Sequence, residues 1–351
     1  MTHCHWLQQP IPSPSLEMRT QAEHRQAQLT KPAGSLCRME EMAVRLAALQ
    51  NTRTPAVDRV RIVVFAGDHG VAAAGISAFP QAVTVEMIRN FSRGGAAIAV
   101  LARQLGADLE VVDVGAVADP SPLPRLISRR VGAGTQDFRA QPAMTAEQRD
   151  QALEAGREAV ERAGDSGTQL LIGGEMGIGN TTSATAILAA LLDLSPTLLA
   201  GPGTGLTPEG VVHKVQVIET ALRHHQAVLT DPLAVLAALG GFEIVALTGF
   251  YIAAAQRAIP LLVDGFIAQA AAVAALRIRP DLRPWLFFSH SSAEPGQQAI
   301  EAALGIHPLL NLGLRLGEGS GAAIALPLLR LACALHCDMA TFAEAAVSGA
   351  H

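Results

Sequence analysis

Short apolar runs that stop at glycine or at Ser-His recur along this chain, and each is followed by a stretch with helical spacing. Val60–Ala66, Leu109–Val114, Gln169–Ile172, Ile259–Val263 and Trp285–Phe288 are such runs, and their length and flanks predict buried strands. Between them, helices are predicted over residues 83–105, Thr145–Ala163, Thr181–Leu192, Pro208–Val228, two pieces of 232–256 split at Gly240-Gly241, Gly265–Arg277, 296–304 and 321–337. Thr207 is a natural N-cap for the fourth of these, with Pro208 in its first position. Before Val60 the pattern is helical only, with Leu36, Met39, Met42, Ala43, Leu46 and Leu49 on one face. Strands alternating with helices predict an α/β fold, a Rossmann-like parallel sheet with helices on both faces. Ligands then bind beyond the carboxyl ends of the strands, where the breaks at 67–70, 173–179 and 289–296 fall. The helices of the two termini lie outside the alternation and are expected to form a small helical domain.

Composition narrows the class. Half of the 351 residues are hydrophobic and only 16% are charged, which excludes wholesale disorder. The net charge is −5 with no basic block, so a nucleic-acid partner is not expected. Residues 244–276 are interrupted by Arg257, Pro260 and Asp264, and residues 321–337 are short and carry Pro327 and Arg330. Neither reaches about 20 uninterrupted apolar residues, so no membrane span is expected. Met1–Pro14 shows no secretory pattern, and Cys4, Cys37, Cys333 and Cys337 are sparse enough for a reduced chain. A cytoplasmic location is the expectation.

Three glycine-rich stretches carry the candidate chemistry. Gly173-Gly174-Glu175-Met176-Gly177-Ile178-Gly179-Asn180-Thr181-Thr182 sits between a strand and a helix, the place for a backbone cradle at a helix's positive end. No Lys-Ser/Thr follows its last glycine, so it is not a Walker loop, and its spacing fails the dinucleotide fingerprint. Gly313-Leu314-Arg315-Leu316-Gly317-Glu318-Gly319-Ser320-Gly321 isolates one carboxylate among glycines before an apolar helix. Taken alone, that acid reads as a partner for the helix dipole; the glycines around it clear room for a ligand. Gly201–Leu206 precedes Lys214, which is a possible phosphate contact or a solvated surface lysine. Cys333, His336 and Cys337 share a helix, but no second Cys/His pair stands at zinc spacing. They read as core residues, and no metal is expected. His3, Cys4, His5, His224 and His225 read as surface.

At these residues the chain resembles a known family. Leu29–Leu36, Ala66–Gly70, Gly174–Thr182, Gly240–Glu243, Leu262–Phe266, Ser289–Glu294 and Arg315–Ala323 look like the ordered motifs of nicotinate-nucleotide:dimethylbenzimidazole phosphoribosyltransferases, spanning about residues 15–345. Each motif is short; the ordered set is specific. The resemblance implies an α/β catalytic domain at 59–322 and a small helical domain made of 1–58 and 323–351. It implies a homodimer and transfer of ribose 5-phosphate from nicotinate mononucleotide to 5,6-dimethylbenzimidazole, without a cofactor. Glu318 matches the family's catalytic glutamate. Glu175 and Lys214 match residues near the ribose phosphate. Gly177, Gly179, Asn180, Thr181 and Ser292 match the phosphate site, and Phe79, Met87 and Leu316 the base pocket.

The chemistry agrees with that assignment. A pyridinium nucleotide loses nicotinate without a proton donor, whereas the incoming benzimidazole must lose its N–H proton to a general base. Two departures stand out: Cys37 occupies a place where members often have glycine, and Phe79 and Met87 replace polar residues such as Ser or Gln. The second points to other benzimidazoles or purines as further acceptors. Two rival classes are a nicotinamide-dinucleotide oxidoreductase, which needs the missing fingerprint, and a non-catalytic ribose phosphate carrier, which needs no base at Glu318.

Overall fold

The computed structural model describes residues 4–120 and 122–348; His3 lies outside them. The strands are β1 (Val60–Gly67), β2 (Asp108–Gly115), β3 (Leu126–Ser128), β4 (Leu170–Met176), β5 (Leu261–Val263) and β6 (Leu286–Phe288). The helices are α1 (Leu16–Gln28), α2 (Arg38–Leu49), α3 (Ala82–Arg93), α4 (Ala97–Leu105), α5 (Ala146–Asp165), α6 (Asn180–Leu192) and α7 (Pro196–Leu199). They continue with α8 (Pro208–His224), α9 (Pro232–Leu239), α10 (Phe242–Gln256), α11 (Phe266–Ile278), α12 (Gln297–Leu304) and α13 (Ser320–Asp338).

The six strands form one parallel sheet in the order β3-β2-β1-β4-β5-β6. That is the doubly wound order, which reverses direction between β1 and β4 and opens a crevice there. Central β1 pairs Ile62 with Leu109 on one side and with Ile172 on the other. Its residues from Ile62 to Ala66 are fully buried, as a strand covered on both faces requires. Helix α10 lies on one face with α5 and α11 packed against it, while α4 and α13 pack together on the other.

Strand β4 differs from expectation. It runs through Gly173 and Gly174 to Met176 instead of ending at them. Successive strand positions face opposite sides. A side chain at Gly173 would run into Leu247 on α10, and one at Gly174 would lie 2.5 Å from the Glu318 carbonyl carbon, ahead of α13. Both glycines therefore serve close packing of backbone and helix, one on each face.

Other boundaries also shift. Residues 83–105 form two helices, because Gly94 takes φ +84 and ends α3. Helix α8 stops at His224, and the three-residue edge strand β3 is too short to leave a periodic signal. Thr207 caps α8 as expected, its hydroxyl accepting from Gly210 N at 3.3 Å. Cys37 has φ +44, in the region that favours glycine, which accounts for the glycine of the resembling family at that place. His225 is buried, with Nε2 2.8 Å from the Phe138 carbonyl, whereas His224 is exposed.

The two ends of the chain meet. Arg25 Nε donates to the His336 carbonyl at 2.6 Å, Leu29 bridges Thr341, and α13 packs on α2. Helix α13 is long and apolar enough to cross a membrane by length and composition, slightly longer than the sequence pattern predicts. One side of it packs against α2, α4, β4 and β5, while Pro327, Leu331 and Ala334 are exposed. Cys333 and His336 are buried in it, and among the described residues no group of three His, Cys, Asp or Glu side chains is placed to hold a metal.

Candidate active site

The carboxyl ends of β4, β5 and β6 converge on one cleft of about 430 Å³. Each strand delivers a polar group where its apolar run stops: Glu175 on β4, Asp264 after β5, and Ser289-His290 after β6. The turn ahead of α13 adds Glu318. Glu175, Gly177, Asn180, Thr181, Ser292, Glu318, Phe79, Met87 and Leu316 all line this cleft. Residues distant in sequence, singled out separately, are thus brought together. Gly179 stands just behind the wall: with φ +100 it caps α6 and backs onto His69.

Lys214 also sits behind the wall, and it is not a surface lysine. It is only 1% exposed, and Nζ donates to Thr181 Oγ1 at 2.8 Å and to the Gly201 carbonyl at 3.2 Å. Burial pulls its pKa down to about 8, against the opposing charge of Glu294. Arg315 donates to the Gly203 carbonyl at 3.2 Å, so two cations meet the turn at 201–204 beside Thr181. Together with the start of α6 they concentrate positive charge here, partly offset by the Glu294 carboxyl beside them.

Three carboxyl groups, Glu175, Asp264 and Glu318, line the same cleft. Burial raises the Glu318 carboxyl above the ordinary glutamate range; an N–H from Ile98 offsets this in part, and the Asp264 charge adds to it. Its Oε2 accepts from Ile98 N at 3.3 Å, in the first turn of α4. Glu175 is raised much further, by burial and then by Glu243, Asp264 and Glu318. Its Oε2 accepts from the Asn180 amide. A carboxyl lifted by burial holds a proton more readily than an exposed one, which suits a group that must accept one. Beneath Gly177, buried His69 and Glu243 pair at 2.5 Å and close off the floor.

The mouth is apolar. Phe79 is 53% exposed and Leu316 60%, with Met87 half-buried behind them. Large apolar side chains held open at a polar cleft suit a flat aromatic ligand. A larger hollow of about 700 Å³ between α2 and β6 lacks this character. Its Arg38 and Arg45 are already committed to the main-chain carbonyls of Pro308, Pro284 and Leu286.

Asp264, His290, Glu294, Arg315, Glu243 and His69 were not foreseen as site residues. For Asp264 and His290 a signal existed, since they stand one and two residues after a predicted strand. Glu243, Glu294 and Arg315 each stand at an end of one of the ordered motifs, the only signal the sequence offers for them. The glycine-rich turn follows β4, while the turn after β1 reads Gly67-Asp68-His69-Gly70, so the doubly wound order comes without the dinucleotide fingerprint.

A phosphoribosyltransferase family model matches residues 11–347. A Pseudomonas aeruginosa protein named nicotinate-nucleotide–dimethylbenzimidazole phosphoribosyltransferase is 59% identical over 332 residues, 95% of each chain. A Pseudomonas putida protein of the same name is 56% identical over 350 residues, 99% of each chain. The crystal structure of the so-named transferase from Thermus thermophilus superposes with a TM-score of 0.90 at 46% identity, covering 96% of this chain and 100% of that one. With its cleft formed by the same motifs, the chain belongs to the nicotinate-nucleotide:dimethylbenzimidazole phosphoribosyltransferase family and is a pentosyltransferase.

Proposed function

We propose that this protein moves ribose 5-phosphate from nicotinate mononucleotide to 5,6-dimethylbenzimidazole, giving α-ribazole 5′-phosphate and nicotinate, with Glu318 as general base. The observation that carries this reading is that a buried carboxyl, the Arg315 and Thr181 side chains at the start of α6, and an apolar mouth open into one cleft, with the Lys214 ammonium bonded to Thr181 behind it. The nucleotide phosphate lies at the start of α6, near Thr181, Ser292 and Lys214. Phe79, Met87 and Leu316 flank the planar base. Attack by the imidazole nitrogen forms the new C–N bond as the pyridinium C–N bond breaks and its electron pair stays on nicotinate. Glu318 takes the N–H proton of the incoming base. Until it takes that proton, the Glu318 carboxylate also favours positive charge at the ribose carbon as it develops.

The same reading includes a homodimer, a cytoplasmic location, no cofactor, and a division into a catalytic domain at 59–322 and a helical domain from 1–58 and 323–351. The contacts between α1, α2 and the end of α13 support that division. Glu318→Gln tests the base: product formation from both substrates should fall by about 10²–10⁴-fold. Binding of nicotinate mononucleotide, measured by calorimetry, should stay within a few-fold. Unchanged turnover would remove Glu318 from that role.

A further inference from the structure

We propose that Asp264 is a positioning residue for Glu318: its buried carboxylate clamps the turn that presents the base to the cleft. The proposal rests on the reading of Glu318 as general base.

Glu318 cannot hold its place by itself. Gly317, Glu318 and Gly319 take φ +84, +65 and +84 in succession. Glycine adopts this region freely, whereas a residue with a Cβ is strained there and persists only when its surroundings hold it. Helix α13 begins immediately afterwards, and Gly319 at its N-cap has no side chain to satisfy the first amides. Asp264 supplies that cap from another strand. Its Oδ2 accepts from Gly319 N at 3.1 Å and its Oδ1 from Ala322 N at 2.9 Å.

The clamp is anchored to the sheet. Asp264 follows β5, where Val263 pairs with Gly173 of β4. The side chain is 3% exposed, so solvent does not compete for its two acceptor oxygens. His290 Nδ1 lies 3.7 Å from Oδ1 and limits the carboxylate from the β6 side. The Glu318 main chain rests on Gly174, and its Oε2 reaches Ile98 N. Asp264 alone of these contacts binds the residue directly after Glu318 and the first turn of α13 at once. An aspartate fits because both donors point at it. Asparagine has one acceptor oxygen, and its amide would face a backbone N–H.

A double-mutant cycle in the full-length protein tests this, using Asp264→Asn, Glu318→Gln and the pair. Turnover, KM for nicotinate mononucleotide and the thermal midpoint are measured for each. A base misplaced by about 1 Å costs on the order of 10²-fold in rate. Asp264→Asn should therefore lower kcat by roughly 10²-fold, with KM changed less than about 3-fold. In the Glu318→Gln background the same change should move kcat less than about 3-fold, because coupled residues are not additive. Equal losses in both backgrounds, or wild-type kcat in Asp264→Asn, would overturn the positioning role while leaving the base assignment intact. Wild-type turnover in Glu318→Gln would instead sink the base assignment. If Asp264→Asn does not fold by its melting curve, Asp264→Ser takes its place in the cycle and is judged by the same outcomes.

Discussion

Replacing Gly174 with alanine asks β4 to carry a methyl group where the Glu318 main chain already lies. The added carbon would stand 2.5 Å from the Glu318 carbonyl carbon and 2.8 Å from Gly319 N. Ordinary carbon contacts begin near 3.5 Å, so the turn has to retreat by about 1 Å. Neither obstacle is the flexible tip of a side chain, and both belong to the turn that carries the proposed base. Overpacking of this kind costs about 1–3 kcal/mol of stability. A 1 Å displacement of a catalytic group costs on the order of 10²-fold in rate. Gly173 is the matched control: it is one residue away on the same strand, with its methyl directed into the buried side chains of Leu247, Tyr251 and Phe250 on α10 and away from the Glu318 turn. Gly173→Ala should also lose about 1–3 kcal/mol yet keep kcat within a few-fold. Thermal unfolding and ribazole phosphate formation at saturating substrates read the two effects separately. Wild-type kcat in Gly174→Ala, or an equal kcat loss in Gly173→Ala at equal stability, would refute the claim that β4 sets the position of Glu318.

Lys214→Met should raise KM for nicotinate mononucleotide by roughly 10–100-fold, the worth of one charged hydrogen bond of about 1.5–3 kcal/mol. Lysine is charged below its pKa, about 8 in this site, so nucleotide affinity of the wild type should weaken as pH rises through that value. The phosphate, whose second pKa is near 6, is already ionised in that window. Calorimetric titration across it should find the decline, and the decline should vanish in the variant; a wild-type affinity flat across the window would contradict the phosphate role. Phe79→Ala and Leu316→Ala should leave the melting temperature nearly unchanged, since both side chains are more than half exposed. They should raise KM for the base by roughly 10-fold, as lost apolar contact of about 1.5 kcal/mol predicts. Base competition in the same assay reads whether Phe79 and Met87 admit other benzimidazoles or purines; unchanged KM values would detach these residues from the base.

Much of the fold was legible before any coordinates, because it rests on local periodicity. Val60–Ala66 and Leu109–Val114 read as strands, and their alternation with helices implies a parallel sheet covered on both faces. The glycine-rich turn after β4 and the isolated Glu318 were visible for a related reason: clustered glycines mark places where backbone, not side chain, does the contacting. The ordered motifs then carried the family. What stayed hidden depends on neighbours remote in sequence. No local pattern separates a solvated lysine from Lys214, which is buried because α8 leans on the turn at 201–204 and on Thr181. Gly173 and Gly174 looked like a loop, since strand propensity penalises glycine; only packing against α10 and the Glu318 turn makes glycine the one residue that fits. The pairing of Asp264 with the amides ahead of α13 joins positions 264 and 319, which nothing in the chain's periodicity links. Sequence therefore determined the secondary elements and the kinds of chemistry present. The tertiary structure decided which groups share one cleft and how deeply each is buried, and so the direction in which each pKa moves, because desolvation and Coulomb interaction depend on distance through space, not along the chain.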